Sequence, residues 1–257
     1  MKVLVSDFDG VICDGLEEYF LSSKLVYQRI WGDYSGDWYA LKTQFFLLRP
    51  VVETGWEMPL LLRALTWGEK PENLLDNWLA IRDKIVKYLS LEGVTVDKIA
   101  QVLDEVRRQQ IEEDLNGWLE LHSIYQPVLE KINSLLNQGN KVYILTTKGG
   151  YFTRKIIEKA GINIPESAII GKEAKRPKYE SIREIIKREK VNATDVCFLE
   201  DRLETLELVH QQPDLKEVKL YLALWGYNTE KIKEKAKKLV YIRPLSLSEL
   251  LSWDCKL

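Results

Sequence analysis

Residues 2–15 read KVLVSDFDGVICDG, an apolar run that ends in Asp7 and Asp9, one residue apart, with Asp14 shortly after. In an extended chain residues i and i+2 share a face, so a strand continued through this segment would set the two carboxylates side by side. Such a pair repels itself unless a cation or a proton intervenes. A turn rich in Asp and Gly is the plainer reading. Against it, Val3, Leu4 and Val5 lead straight into the acids, so a buried strand is expected to deliver charge at its end.

Other short apolar runs recur at Lys141–Thr147, Ser167–Gly171, Asp195–Asp201 and Glu217–Gly226. Stretches such as PVLEKINSLLNQGN and FTRKIIEKAGI lie between them, with apolar residues three or four apart and a Gly or Asn near the end, which predicts helices. The alternation predicts an α/β fold of βαβ units around a mainly parallel, Rossmann-like sheet covered on both faces. From Leu16 to His122 the pattern changes to helical periodicity without a clear strand. We therefore expect a core from residues 1–15 and 123–257, and an all-helical insertion over 16–122. Within the insertion, FFLLRPVVETGWEMPLL holds Pro50, Gly55 and Pro59 and is expected to be a loop. The basic run Thr229–Leu239 reads as a solvated helix face.

The formal net charge of −2 gives no bulk attraction for nucleic acid or an anionic membrane. No apolar run reaches the ~18 residues of a membrane span. We expect no signal peptide, because the first strand begins at Lys2 and is committed to the acidic segment. Cys13, Cys197 and Cys255 are too few and scattered for a disulfide framework or a zinc site, so a cytoplasmic location is expected.

In open parallel sheets ligands bind outside the carboxyl ends of the strands. Read together, those ends carry Asp7-Phe8-Asp9-Gly10, then Thr146 and Thr147 followed by Lys148, then Lys175-Arg176-Pro177-Lys178 before a helix, and finally Glu200-Asp201. A hard cation with oxygen ligands explains the carboxylate excess, and Mg²⁺ suits it best. The hydroxyl and ammonium groups are what a phosphoryl group needs around its oxygens.

This set resembles the haloacid dehalogenase (HAD) superfamily, with DFDGVICD as its first motif, ILTT as the second, a lysine before a helix as the third and FLED as the fourth. The insertion is similar to that family's helical C1 cap, and the pattern looks closest to the phosphoglycolate phosphatase and β-phosphoglucomutase branch. The resemblance implies that Asp7 is the nucleophile and Asp9 the general acid/base. It implies Mg²⁺ ligands in Asp7, the backbone carbonyl of Asp9 and Asp201, with Glu200 beside them. Thr146 matches the phosphate-binding hydroxyl; Gly10, Thr147, Lys148 and Lys175 are further phosphate-binding candidates. Dehalogenases of the superfamily lack the second aspartate, so Asp9 argues for phosphoryl transfer. Two points stay open: whether Lys178 or Lys175 is the motif lysine, and whether Glu204 joins Glu200 near the metal.

In the insertion, Arg49, Glu53 and Trp56 are the residue types that bind an anionic or sugar-like leaving group; the alternative is a packed interhelical corner. Trp31, Trp38, Trp67, Trp78 and Trp118 are expected to pack between helices, and His122 and His210 to be structural. The expected function is a Mg²⁺-dependent phosphatase acting on a small phosphorylated metabolite, as a monomer or homodimer. A phosphomutase, or an inactive binding protein of the same fold, is the alternative.

Overall fold

The structure is a computed structural model that describes residues 2–253, so Cys255 lies outside the described residues. The chain divides into two compact units, one formed by the residues up to Asp14 together with those from Ser123 onward, the other by Gly15–His122.

The second unit is helical throughout: α1 (Leu16–Trp31), α2 (Trp38–Leu48), α3 (Glu57–Thr66), α4 (Pro71–Leu91) and α5 (Val96–Glu120). Local chemistry sets several starts. Asp37 accepts the Tyr39 N–H ahead of α2, Pro71 occupies the first turn of α4, and Thr95 accepts the Lys98 N–H ahead of α5. The expected loop is largely helical. Pro50 sits in a 3₁₀ turn over Arg49–Val51, and Pro59 falls in the first turn of α3, where the missing N–H leaves no intrahelical bond unmade. Only residues 52–56 stay outside helices. The indole of Trp78 donates to Glu57 Oε2 at 2.7 Å, and Trp118 is buried with its ring 4.5 Å from that of His122. Glu18 and Arg107 form a buried two-pronged ion pair that joins α1 to α5.

The first unit contains strands β1 (Val3–Ser6), β2 (Cys13–Asp14), β3 (Ser123–Ile124), β4 (Lys141–Leu145), β5 (Ile169–Ile170), β6 (Val196–Glu200), β7 (Lys219–Ala223) and β8 (Ile242–Leu245). Six of them form one sheet in the order β5-β4-β1-β6-β7-β8, with every neighbouring pair parallel. β2 and β3 make a separate antiparallel ribbon. The sheet is flanked by α6 (Gln126–Asn137), α7 (Gly150–Lys159), α8 (Lys178–Glu189), α9 (Leu203–His210), α10 (Glu230–Ala236) and α11 (Leu247–Ser252). Val3, Leu4 and Val5 are buried at the centre, as their unbroken apolar run requires of a strand covered on both faces.

β8 is absent from the sequence reading because Pro244 interrupts it; as the edge strand it tolerates a residue without an N–H. The basic run forms the exposed helix α10 and its flank, with Lys233 paired to Glu230 and Lys237 to Glu234. His210 stacks on Tyr241 at 3.7 Å.

Candidate active site

Strand register builds the site. Ser6 pairs with Ile144 of β4 on one side and Leu199 of β6 on the other. Asp7 and Glu200 each follow by one position, so two carboxylates leave neighbouring strands at the same level. The Asp7 N–H continues the ladder to the Leu199 carbonyl at 2.8 Å, which holds its backbone in place. β1 lies at the crossover of the sheet: the chain runs outward through β4 and β5, then returns to β6 on the other side. A crevice at the carboxyl ends follows from that connection.

Asp7, Glu200 and Asp201 are all buried, and each offers an oxygen within 4.8 Å of the others. Lys178, first residue of α8, places its ammonium 2.7 Å from Asp7 Oδ1 and 2.7 Å from Glu200 Oε2. The other Glu200 oxygen accepts the N–H groups of Asp201 and Arg202, each at 3.1 Å. Burial and the Glu200 charge push the Asp7 carboxyl up to about 7, against the opposing pull of Lys178. Burial also raises Glu200; at Lys178 burial favours the neutral amine, but the Asp7 and Glu200 carboxylates prevail and hold the ammonium protonated, well above its usual range. One ammonium thus serves two of three clustered, buried carboxylates, with Asp201 beside them, and the three acids offer only oxygen. That combination fits a hard divalent cation.

Asp9 is not one of the three clustered acids, though its charge adds to the push on Asp7; it faces Lys148, whose buried ammonium is 3.6 Å from Asp9 Oδ1. Thr146 is buried and its hydroxyl accepts the Lys148 N–H at 3.0 Å, shaping the turn between β4 and α7. Thr147 is exposed. Gly10 has φ +85°, and a Cβ there would fall 2.2 Å from Asp201 Oδ2, so both the backbone and the close approach demand glycine.

Of the two candidate lysines, Lys178 reaches the carboxylates. Lys175 is an exposed residue in left-handed conformation (φ 49°) at the end of a 3₁₀ turn. Glu204 is exposed in the first turn of α9 and lies outside the carboxylate trio. Arg49 belongs to the helical unit, where it is buried, donates from Nη1 to the Val52 carbonyl at 2.9 Å and lies over the Tyr19 ring. Glu53 is exposed and Trp56 half-buried in the same unit.

The sequence reading missed Trp225-Gly226-Tyr227-Asn228, the loop after β7. The Trp225 indole donates to the Val11 carbonyl at 3.0 Å, and the Tyr227 N–H donates to Asp201 Oδ2 at 2.7 Å. A side chain on Gly226 would fall 2.3 Å from Asp201 Cβ. The available signal was position: this is one more loop at a strand's carboxyl end, but it carries no charge.

The sequence model of the family "Haloacid dehalogenase-like hydrolase" matches residues 80–210, just over half of the chain; Asp7 and Asp9 lie outside the match. No curated protein matches the sequence. Among solved structures, a predicted phosphatase from Clostridium acetobutylicum superposes with a TM-score of 0.63 at 15% identity, covering 100% of this chain and 99% of that one. A predicted phosphoglycolate phosphatase from Haemophilus somnus gives 0.63 at 14% identity, covering 98% and 97%. The Mycobacterium tuberculosis Protein Tyrosine Kinase A gives 0.57 at 13% identity, covering 100% and 98%. At these identities the similarity is one of fold, and the differing activities named for these proteins show why the site must decide the chemistry. The residues matched by the family model place this chain in the haloacid dehalogenase-like hydrolase family.

Proposed function

We propose that the protein is a Mg²⁺-dependent phosphatase that hydrolyses a small phosphomonoester through a phosphoenzyme on Asp7. The observation that carries this reading is the junction at Lys178, where one ammonium holds Asp7 and Glu200 beside Asp201. Asp7, Asp201 and Glu200 would hold the cation. When bound, it supplies positive charge that lets a carboxylate approach an anionic phosphate and keeps Asp7 ionised.

Asp7 attacks phosphorus, and the bond from phosphorus to the ester oxygen breaks as the aspartyl-phosphate forms. Asp9, held beside Lys148, gives its proton to the departing alkoxide. The same carboxylate then takes a proton from water. The resulting hydroxide attacks phosphorus, the bond to Asp7 breaks, and inorganic phosphate leaves. Lys178 balances the charge on Asp7 and Glu200 throughout, and the Thr146 hydroxyl with the turn over 146–148 offers donors to the phosphoryl oxygens.

The substrate class is a soluble phosphorylated metabolite, the site of action the cytoplasm, and the active species a monomer or homodimer. Among the described residues no helix is long and apolar enough to cross a membrane. The test is a phosphate-release screen with Mg²⁺ over phosphorylated metabolites, with the Asp7→Asn variant as blank. Release from one or a few esters that is absent in the blank supports the reading; equal release from both rejects it.

A further inference from the structure

Asp14, the third acid of the opening segment, plays no part in that chemistry, yet one residue ties it to Asp201. The Tyr227 hydroxyl donates to Asp14 Oδ1 at 2.7 Å, and the backbone N–H of Tyr227 donates to Asp201 Oδ2 at 2.7 Å. Asn228 holds the same stretch from the other side, its Nδ2 donating to the carbonyls of Asp201 at 3.3 Å and Ala223 at 2.8 Å. The tyrosine ring is closely fitted: a Cβ on Gly10 would come within 2.8 Å of its Cδ2. The ring thus packs against Gly10 while its hydroxyl meets Asp14. The same residue is therefore bonded at both ends, by its hydroxyl to Asp14 and by its backbone N–H to Asp201.

We propose that Tyr227 and Asp14 are positioning residues that fix the rotation of the Asp201 carboxylate for the cation. The inference rests on the cation-dependent reading above. Mg²⁺ demands near-ideal geometry at ~2.0–2.1 Å, so a carboxylate free to turn about its side-chain torsions binds it poorly. An N–H bonded to the ionised oxygen removes that freedom, and charge-assisted bonds of this kind are the strong ones. Such outer partners of metal ligands typically change affinity by about 10–100-fold when lost. The Asp14–Tyr227 bond acts one link further out, so a loss at the low end of that range is expected.

The experiment is calorimetric titration of chelator-stripped protein with MgCl₂, paired with melting in EDTA, on wild type, Tyr227→Phe, Asp14→Ala, Asp14→Asn and the Tyr227→Phe/Asp14→Ala double variant. Tyr227→Phe and Asp14→Ala should each weaken Mg²⁺ binding about tenfold. The double variant should be no weaker than either, because both remove one shared bond. Asp14→Asn keeps an oxygen that accepts the phenol and should stay within about twofold of wild type. Unchanged Mg²⁺ affinity in Tyr227→Phe and Asp14→Ala, with only the melting temperature lowered, would overturn the proposal and leave a structural bolt. Wild type that binds no Mg²⁺ would instead overturn the cation reading beneath it. Should Asp14→Ala fail to fold, Tyr227→Phe, which removes a single oxygen, decides the question.

Discussion

Lys178 donates to Asp7 Oδ1 at 2.7 Å, joining residues 171 positions apart in the chain. The same ammonium reaches Glu200 at the same distance, so one positive charge serves two buried carboxylates, with Asp201 adjacent. The pull of the ammonium does not prevail at Asp7, whose carboxyl is pushed up to about 7 by burial and by Glu200. Positive charge is what this volume lacks.

Removing Lys178 should therefore be costly in both stability and turnover. Lys178→Ala leaves two buried carboxylates without their partner, a change worth about 3–5 kcal/mol when a buried pair is broken. Lys175→Ala alters an exposed side chain and should stay within about 0.5 kcal/mol. Denaturant melts and phosphate release on both variants check this, and a larger loss from Lys175→Ala would reverse the assignment of the lysine.

Asp7→Asn should abolish phosphate release by about 10⁴-fold or more, since an amide cannot attack phosphorus. The fold should survive, because the shape is kept and the carboxylate trio loses one of its mutually repelling charges. Circular dichroism and turnover on the same preparation give the comparison.

Asp9→Asn should reduce turnover by about 10²–10⁴-fold, the usual contribution of a positioned proton donor. Acid-quenched labelling with a ³²P ester should then show phosphoenzyme that persists in the variant and turns over in wild type. A variant with wild-type turnover would remove Asp9 from the reaction.

Mg²⁺ should stabilise the protein. A ligand that binds only the folded state adds about 2.7 kcal/mol at a hundred times its Kd, and for a chain of this size each kcal/mol raises Tm by about 2–4 °C. Asp201→Asn should lose most of that shift. A melting temperature that MgCl₂ leaves unmoved would sink the metal assignment.

Gly10→Ala should disturb the same site through sterics alone. At φ +85° an alanine is strained by about 1–3 kcal/mol, and its methyl would meet Asp201 Oδ2. We expect weaker Mg²⁺ binding together with a lower Tm, read in the titration and melts described above.

Several features were legible because they are local. The apolar run Val3–Ser6 ending in Asp7 and Asp9 needed only strand periodicity and charge repulsion to mark a site, and the parallel sheet followed from alternating strand and helix patterns. β8 was hidden by Pro244, which is tolerated only because the strand lies at an edge, and edge position is not a local property. Pro50 and Pro59 suggested a loop, but each falls in a first turn that needs no N–H.

The amino-acid sequence by itself determined the alternation of elements and the chemical groups at each strand end, because periodicity and residue type act over a few neighbours. Tertiary structure decided which groups meet. Lys178 rather than Lys175 reaches Asp7 because the first turn of α8 aims one lysine into the crevice while the left-handed turn before it leaves the other in solvent. Tyr227 came to hold both Asp14 and Asp201 because the loop after β7 packs against Gly10, where only a hydrogen atom fits. Such contacts join residues far apart in the chain, and register and close packing, absent from any local pattern, bring them within reach.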